Sequence, residues 1–108
     1  MIHISRSLPL PRPELVIRLE SDASYTNIYY KNQPRPVLMS RTLLHFQRGL
    51  PSFWRVSKSA LVNPAYVVGI VREDKKYYVR MTDDTLVLIA RRRQEETLAA
   101  LKAISQSD

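Results

Sequence analysis

The sequence predicts a mostly-β domain with one short inner helix and one C-terminal helix. Three observations carry this. About six short runs rich in β-branched and aromatic residues follow one another closely, each bounded by turn chemistry. Only two stretches have helical character, and they stand far apart instead of alternating with strands as a βαβ array requires. The chain has 108 residues, which suits one hydrophobic core and leaves no room for a second domain.

In chain order, residues 1–13 carry Pro9, Pro11 and Pro13 in alternation, an extended lead-in to a domain spanning residues 14–104. Leu15 to Leu19 is a short β-branched strand. Ser21-Asp22-Ala23-Ser24 is turn chemistry, and Tyr25 to Tyr30 is a second strand. Asn32 to Pro36 turns, because two prolines do not fit inside a central strand, and Val37 to Met39 resumes. Ser40-Arg41-Thr42 opens a helix, with Ser40 or Thr42 as its N-cap. Leu43, Phe46 and Leu50 form its apolar stripe, and Gly49-Leu50-Pro51 ends it. Phe53 to Val56 is a short strand. Ser57 to Pro64 mixes small polar residues with Leu61-Val62 and closes on the turn signal Asn63-Pro64. Tyr66 to Val71 and Tyr77 to Met81 are strands about a charged turn that Asp74 is suited to hold. Asp83-Asp84 is a further tight turn before the closing strand Thr85 to Ile89. Arg91 to Ile104 is helical by composition, with Leu98, Ala100 and Leu101 on one side.

Composition narrows the function. Hydrophobic residues make up 44% and charged residues 25%, the balance of a soluble globular chain. With no cysteine there is no disulfide, thiolate nucleophile or thiolate metal site, and the two histidines, His3 and His45, are far apart. No metal or cofactor is expected. No apolar run approaches the ~20 residues that span a bilayer, and no signal-peptide core is visible. The expected class is a small, basic, cytoplasmic domain without a membrane partner.

Seventeen Lys+Arg against ten Asp+Glu give a formal charge of +7, the electrostatic footprint of a polyanion binder. The surplus gathers at Arg35 and Arg41, at Arg55 and Lys58, and in Arg91-Arg92-Arg93. At a helix N-terminus that last run has the wrong sign for the macrodipole, which invites a bound anion as its explanation. A catalytic reading would rest on Ser57, Ser59, Asp74, Asp83 or His45. No serine has a nucleophile-elbow context, and two glycines, Gly49 and Gly69, cannot build a phosphate loop. His45 has no carboxylate at helical spacing and reads as a solvated helix residue, so no enzyme is expected. The helices are too far apart for a helix-turn-helix, so any DNA contact must come from loops or strands. Tyr25, Tyr29 and Tyr30 offer an alternative, RNA or single-stranded nucleic-acid binding by base stacking on that strand. The plainer reading gives Tyr29 and Tyr30 to packing and sets Tyr25 at a loop edge. A basic protein-interaction module is a third reading.

The segment Phe53-Trp54-Arg55-Val56-Ser57-Lys58-Ser59-Ala60-Leu61-Val62-Asn63-Pro64 resembles the signature of the LytTR (LytR/AlgR-type) DNA-binding domain. That family shows an aromatic residue, Arg, a small apolar residue, His, a basic or polar residue, Ser, an apolar pair and Asn. Leu19-Glu20-Ser21 to Tyr30 resembles its first loop and strand. Ser40-Arg41-Thr42-Leu43 resembles its helix start, and Leu88-Ile89-Ala90-Arg91-Arg92 its final strand-to-helix loop. Two positions depart from the pattern: Ser57 stands in place of the usual His, and Ala90 in place of a Ser.

The resemblance, from about Leu15 to Leu101, implies an elongated fold of packed sheets that binds double-stranded DNA through loops in successive major grooves. Members are usually response regulator output domains of bacteria. They read pairs of short direct repeats, which implies a homodimer on DNA. By position, the base-reading loops map to Tyr25, Lys58 and Arg91, with backbone contacts near Thr42 and Ser59. Lys58 and Arg91 would donate to guanine acceptors. Arg55, Arg92 and Arg93 would contact phosphates, giving affinity and salt dependence without sequence information.

Overall fold

One extra residue in the first strand sets the layering. The structure, a computed structural model, describes residues 12–105; most of the expected lead-in, residues 1–11, lies outside them. Strand β1 (Val16–Asp22) pairs antiparallel with β2 (Tyr25–Tyr30). The register runs Val16 to Tyr30 and then Arg18 to Tyr29, so Ile17 is a bulge. Val16 and Leu19 therefore join one apolar cluster while Ile17 joins another on the opposite side of the sheet.

The first sheet is completed by β3 (Val37–Met39), β4 (Trp54–Ser57) and β5 (Ala60–Val62), in the order β3-β2-β1-β5-β4. A second, three-stranded sheet orders β6 (Val67–Glu73), β7 (Lys76–Met81) and β8 (Leu86–Leu88) in sequence. Helix α1 (Leu43–Gly49) covers one face of the first sheet, placing Leu43, Phe46 and Leu50 on Leu19, Ile28 and Leu61. The other face meets the second sheet, where Val56, Ala60 and Val62 pack with Val79, Met81, Val87 and Ile89. Helix α2 (Gln94–Ser105) closes the described chain. The body measures 47 × 31 × 26 Å, so the expected elongated, mostly-β architecture of packed sheets is present.

Local chemistry explains the elements. Thr42 is the N-cap of α1, its hydroxyl accepting from the His45 N–H at 3.3 Å. Asp74 and Lys75 both have positive φ, 51° and 65°, between the paired Glu73 and Lys76. That is the type I′ geometry that matches strand twist. Asn63 donates to the Val16 carbonyl at 2.8 Å and accepts from the Ala65 N–H at 3.0 Å, tying the end of β5 to β1 while capping a 3-10 turn.

The expectation of about six strands falls short of the eight observed among the described residues. The clearest addition is β5, read only as a mixed segment. Its three residues are all buried and sit centrally in the sheet, yet polar residues flank them so closely that no period shows in the sequence. On α2 Thr97 is buried, and the expected Leu98, Ala100 and Leu101 are half-buried. His45 is half-buried, with its ring edge-on to Phe46 at 5.2 Å.

Candidate nucleic-acid interface

Strand register brings distant parts of the sequence to one end of the five-stranded sheet. Tyr25 opens β2 opposite Asp22 at the β1–β2 tip. Met39, at the end of β3, pairs with Thr26, whose hydroxyl donates to the Arg41 carbonyl at 2.6 Å, so the Arg41-Thr42 segment lies at the same end. Glu20 pairs with Ala60, and the Ser21 N–H donates to the Ser59 carbonyl at 2.9 Å. The Lys58-Ser59 turn therefore stands beside that tip. The Ala90 N–H donates to the Val56 carbonyl at 2.8 Å, bringing Arg91 alongside β4. Five strands at the usual spacing make this end roughly 19 Å wide.

The Lys58 turn is clamped. Lys58 and Ser59 form a two-residue connection between paired Ser57 and Ala60, preceded by a bulge between Arg55 and Ser57. Neither has positive φ, so the turn lacks the geometry that holds a tight hairpin by itself. Arg55 supplies what is missing. Its Nε donates to the Ser57 carbonyl at 2.7 Å and its Nη2 to the Lys58 carbonyl at 2.8 Å, while Nη1 donates to Gln47 Oε1 on α1. The Ser59 N–H donates to Ser57 Oγ at 3.1 Å, so the serine in place of the family's histidine closes the turn. Burial, and then the Arg93 charge, hold the Arg55 pKa below its usual value. The Lys58 side chain is exposed and makes no hydrogen bond or ion pair among the described residues.

The arginine run sits differently from the expectation. Arg91–Arg93 forms a separate 3-10 turn, and α2 begins at Gln94 with Glu95 and Glu96 in its first turn. The α-helix thus carries the favourable charge at its N-terminus. Arg93 joins that arrangement, donating to Glu96 Oε1 at 3.0 Å. The macrodipole conflict read from the sequence is offset by Glu95 and Glu96, which follow the cations in the first turn of the helix. Arg91 and Arg92 are exposed and unpaired among the described residues.

The family model for the LytTr DNA-binding domain matches residues 8–102. The chain belongs to this family. It is a DNA-binding domain of the kind used in transcription regulation. A similar solved structure is the LytTr DNA-binding domain of a protein described as a methyl-accepting/DNA response regulator from Bacillus cereus. It is 17% identical, with a TM-score of 0.63 over 78% of each chain. At that identity the likeness is one of fold. No curated protein matches the sequence. Among the described residues, no helix of this LytTr domain is long and apolar enough to cross a membrane.

The tyrosines divide as packing predicts. Tyr30 is buried, and burial raises its pKa. Tyr29 lies under the Arg18 guanidinium, 3.8 Å from ring centre to Cζ, with its hydroxyl 3.4 Å from Glu20. Tyr25 is 46% exposed. Arg18 also bonds Glu20 at 2.9 Å and Asp83 at 3.1 Å, joining the first sheet to the β7–β8 turn. Burial pushes the Asp83 carboxyl up, but hydrogen bonds from Thr85 and the Arg18 charge outweigh it, leaving the pKa below the usual value. Sequence reasoning places Lys58 and Arg91 in turns that the structure brings to this end, but it gives no sign of the Arg18–Asp83 pair or of Gln47 as a partner of Arg55. Arg18 and Asp83 stand 65 residues apart, and no local pattern announces such a pair.

Proposed function

We propose that this domain binds duplex DNA sequence-specifically, with the Tyr25, Lys58 and Arg91 loops entering the major groove. The observation that carries the reading is the convergence of these loops on one sheet end, where Lys58, Arg91 and Arg92 are exposed and lack partners among the described residues. Lys58 and Arg91 donate to guanine acceptors, the arginine in a planar fork suited to one guanine edge. Thr42, Ser59, Arg92 and Arg93 contact phosphates; the Thr42 hydroxyl accepts from the helix and keeps its own proton to donate. Short direct repeats occupied by a homodimer in the bacterial cytoplasm complete the reading. Single-strand stacking is disfavoured because Tyr30 is buried and Tyr29 is covered by Arg18.

Selection from a random duplex pool, followed by titration of the enriched site, tests this. Lys58→Ala and Arg91→Ala should each relax preference at one base pair, by ~1–3 kcal/mol. A pool that yields no motif, or a single strand that competes as well as the duplex, refutes the reading.

A further inference from the structure

From the sequence, Arg55 reads as a phosphate contact, but each of its three guanidinium nitrogens already donates once within the chain. The side-on fork, Nε with Nη2, is occupied by the Ser57 and Lys58 carbonyls and cannot clamp a phosphate. Gln47 holds Nη1 from α1. The Ser59 carbonyl, next in line, accepts from the Ser21 N–H at 2.9 Å. Each carbonyl from Ser57 to Ser59 thus has a fixed donor, and Arg55 provides two of the three.

We propose that Arg55 is a positioning residue for base reading, a rigid plane that fixes the backbone from which Lys58 projects. This rests on Lys58 reading a base. The physical reason is reach. A lysine stem is long and flexible, so its ammonium selects one base edge only when its Cα is held steady. The Lys58 turn has no positive-φ residue to stiffen it, and the guanidinium does that work by spanning two consecutive carbonyls. A lysine at position 55 keeps the charge but cannot bridge both carbonyls in one plane.

The test uses the full chain and the duplex enriched by selection, paired with a duplex changed only at the base pair that Lys58→Ala ceases to discriminate. Arg55→Lys, Gln47→Ala, Lys58→Ala and the Lys58→Ala/Arg55→Lys double are titrated at several salt concentrations and melted. Arg55→Lys should lose about tenfold in discrimination at that base pair, the lower range of a lysine–guanine contact. Gln47→Ala should lose less, in the same direction. The salt slope should not change, and the double should discriminate no worse than Lys58→Ala alone, because Arg55 acts through Lys58. Arg55→Gln adds a check: a slope lowered by about one with discrimination intact makes Arg55 a phosphate contact and overturns the proposal. A lower melting temperature with parental discrimination also overturns it. If Lys58→Ala itself discriminates like the parent, the Lys58 assignment fails; if only Arg55→Lys does, the Arg55 proposal alone fails.

Discussion

Replacing Arg18 by Met should destabilise the domain by about 2 kcal/mol, and the structure shows which terms decide this. The Arg18 side chain is 9% exposed, so methionine relieves a desolvation cost and keeps most of the stem packing. Against that gain, the variant loses bonds to Glu20 and Asp83 and a cation–π contact with Tyr29 at 3.8 Å. The two carboxylates are 34% and 40% exposed and hydrate when the guanidinium leaves, which limits each bond to about 0.5–1 kcal/mol. The partly desolvated cation–π contact adds about 1–2 kcal/mol. Attraction exceeds relief because each partner keeps one side in water and is itself never fully desolvated. For a domain of this size, about 2 kcal/mol lowers Tm by roughly 8–16 °C. Thermal and urea melts at pH 7 measure the difference, with Arg18→Ala expected to lose further through its missing stem. A methionine variant as stable as the parent would mean that desolvation wins, and the reasoning about this clasp fails.

The remaining predictions follow from single contacts. Asp83 has a depressed pKa in the folded state, so its contribution is complete above the ordinary carboxylate value of 3.8 and disappears as pH falls through the lower folded value. Asp83→Asn should therefore cost about 1 kcal/mol at pH 7 and flatten the acid limb of a stability–pH profile; an unchanged acid limb contradicts the assignment. Thr42→Ala should lower stability by about 0.5–1 kcal/mol through the lost cap, read by a chemical melt, the long 3.3 Å bond favouring the smaller figure. Arg92→Ala should leave Tm within about 1 °C, because no described partner is lost, and weaken all duplexes alike with a salt slope lower by about one. Selective loss at one base pair would instead make Arg92 a reader.

What the sequence reveals depends on the range of the interaction. Thr42 as cap, the turn at Asp74 and the strand Tyr25–Tyr30 are legible because each depends on neighbours a few residues away. The turns that carry Lys58 and Arg91 are legible as positions because motif order survives without geometry. Arg55 is visible as a charge, but its role depends on a turn geometry and on Gln47 from another element. The same gap explains the arginine run. Composition alone does not distinguish a 3-10 turn from the first turn of an α-helix, and that distinction gives the first helical turn to Glu95 and Glu96, whose charge has the favourable sign.

The width of the sheet end sets a limit on what one copy can specify. About 19 Å covers some five or six base pairs at the 3.4 Å rise of duplex DNA, and three reading side chains address about three of them. A fixed triplet recurs by chance about once in 64 positions, far too often to mark one promoter among the millions of competing sites in a genome. On the proposed assignment, one domain therefore carries only a fragment of an address. On the proposed pair of direct repeats, a second reading event at a set distance completes it, so the spacing between two such fragments becomes part of the message.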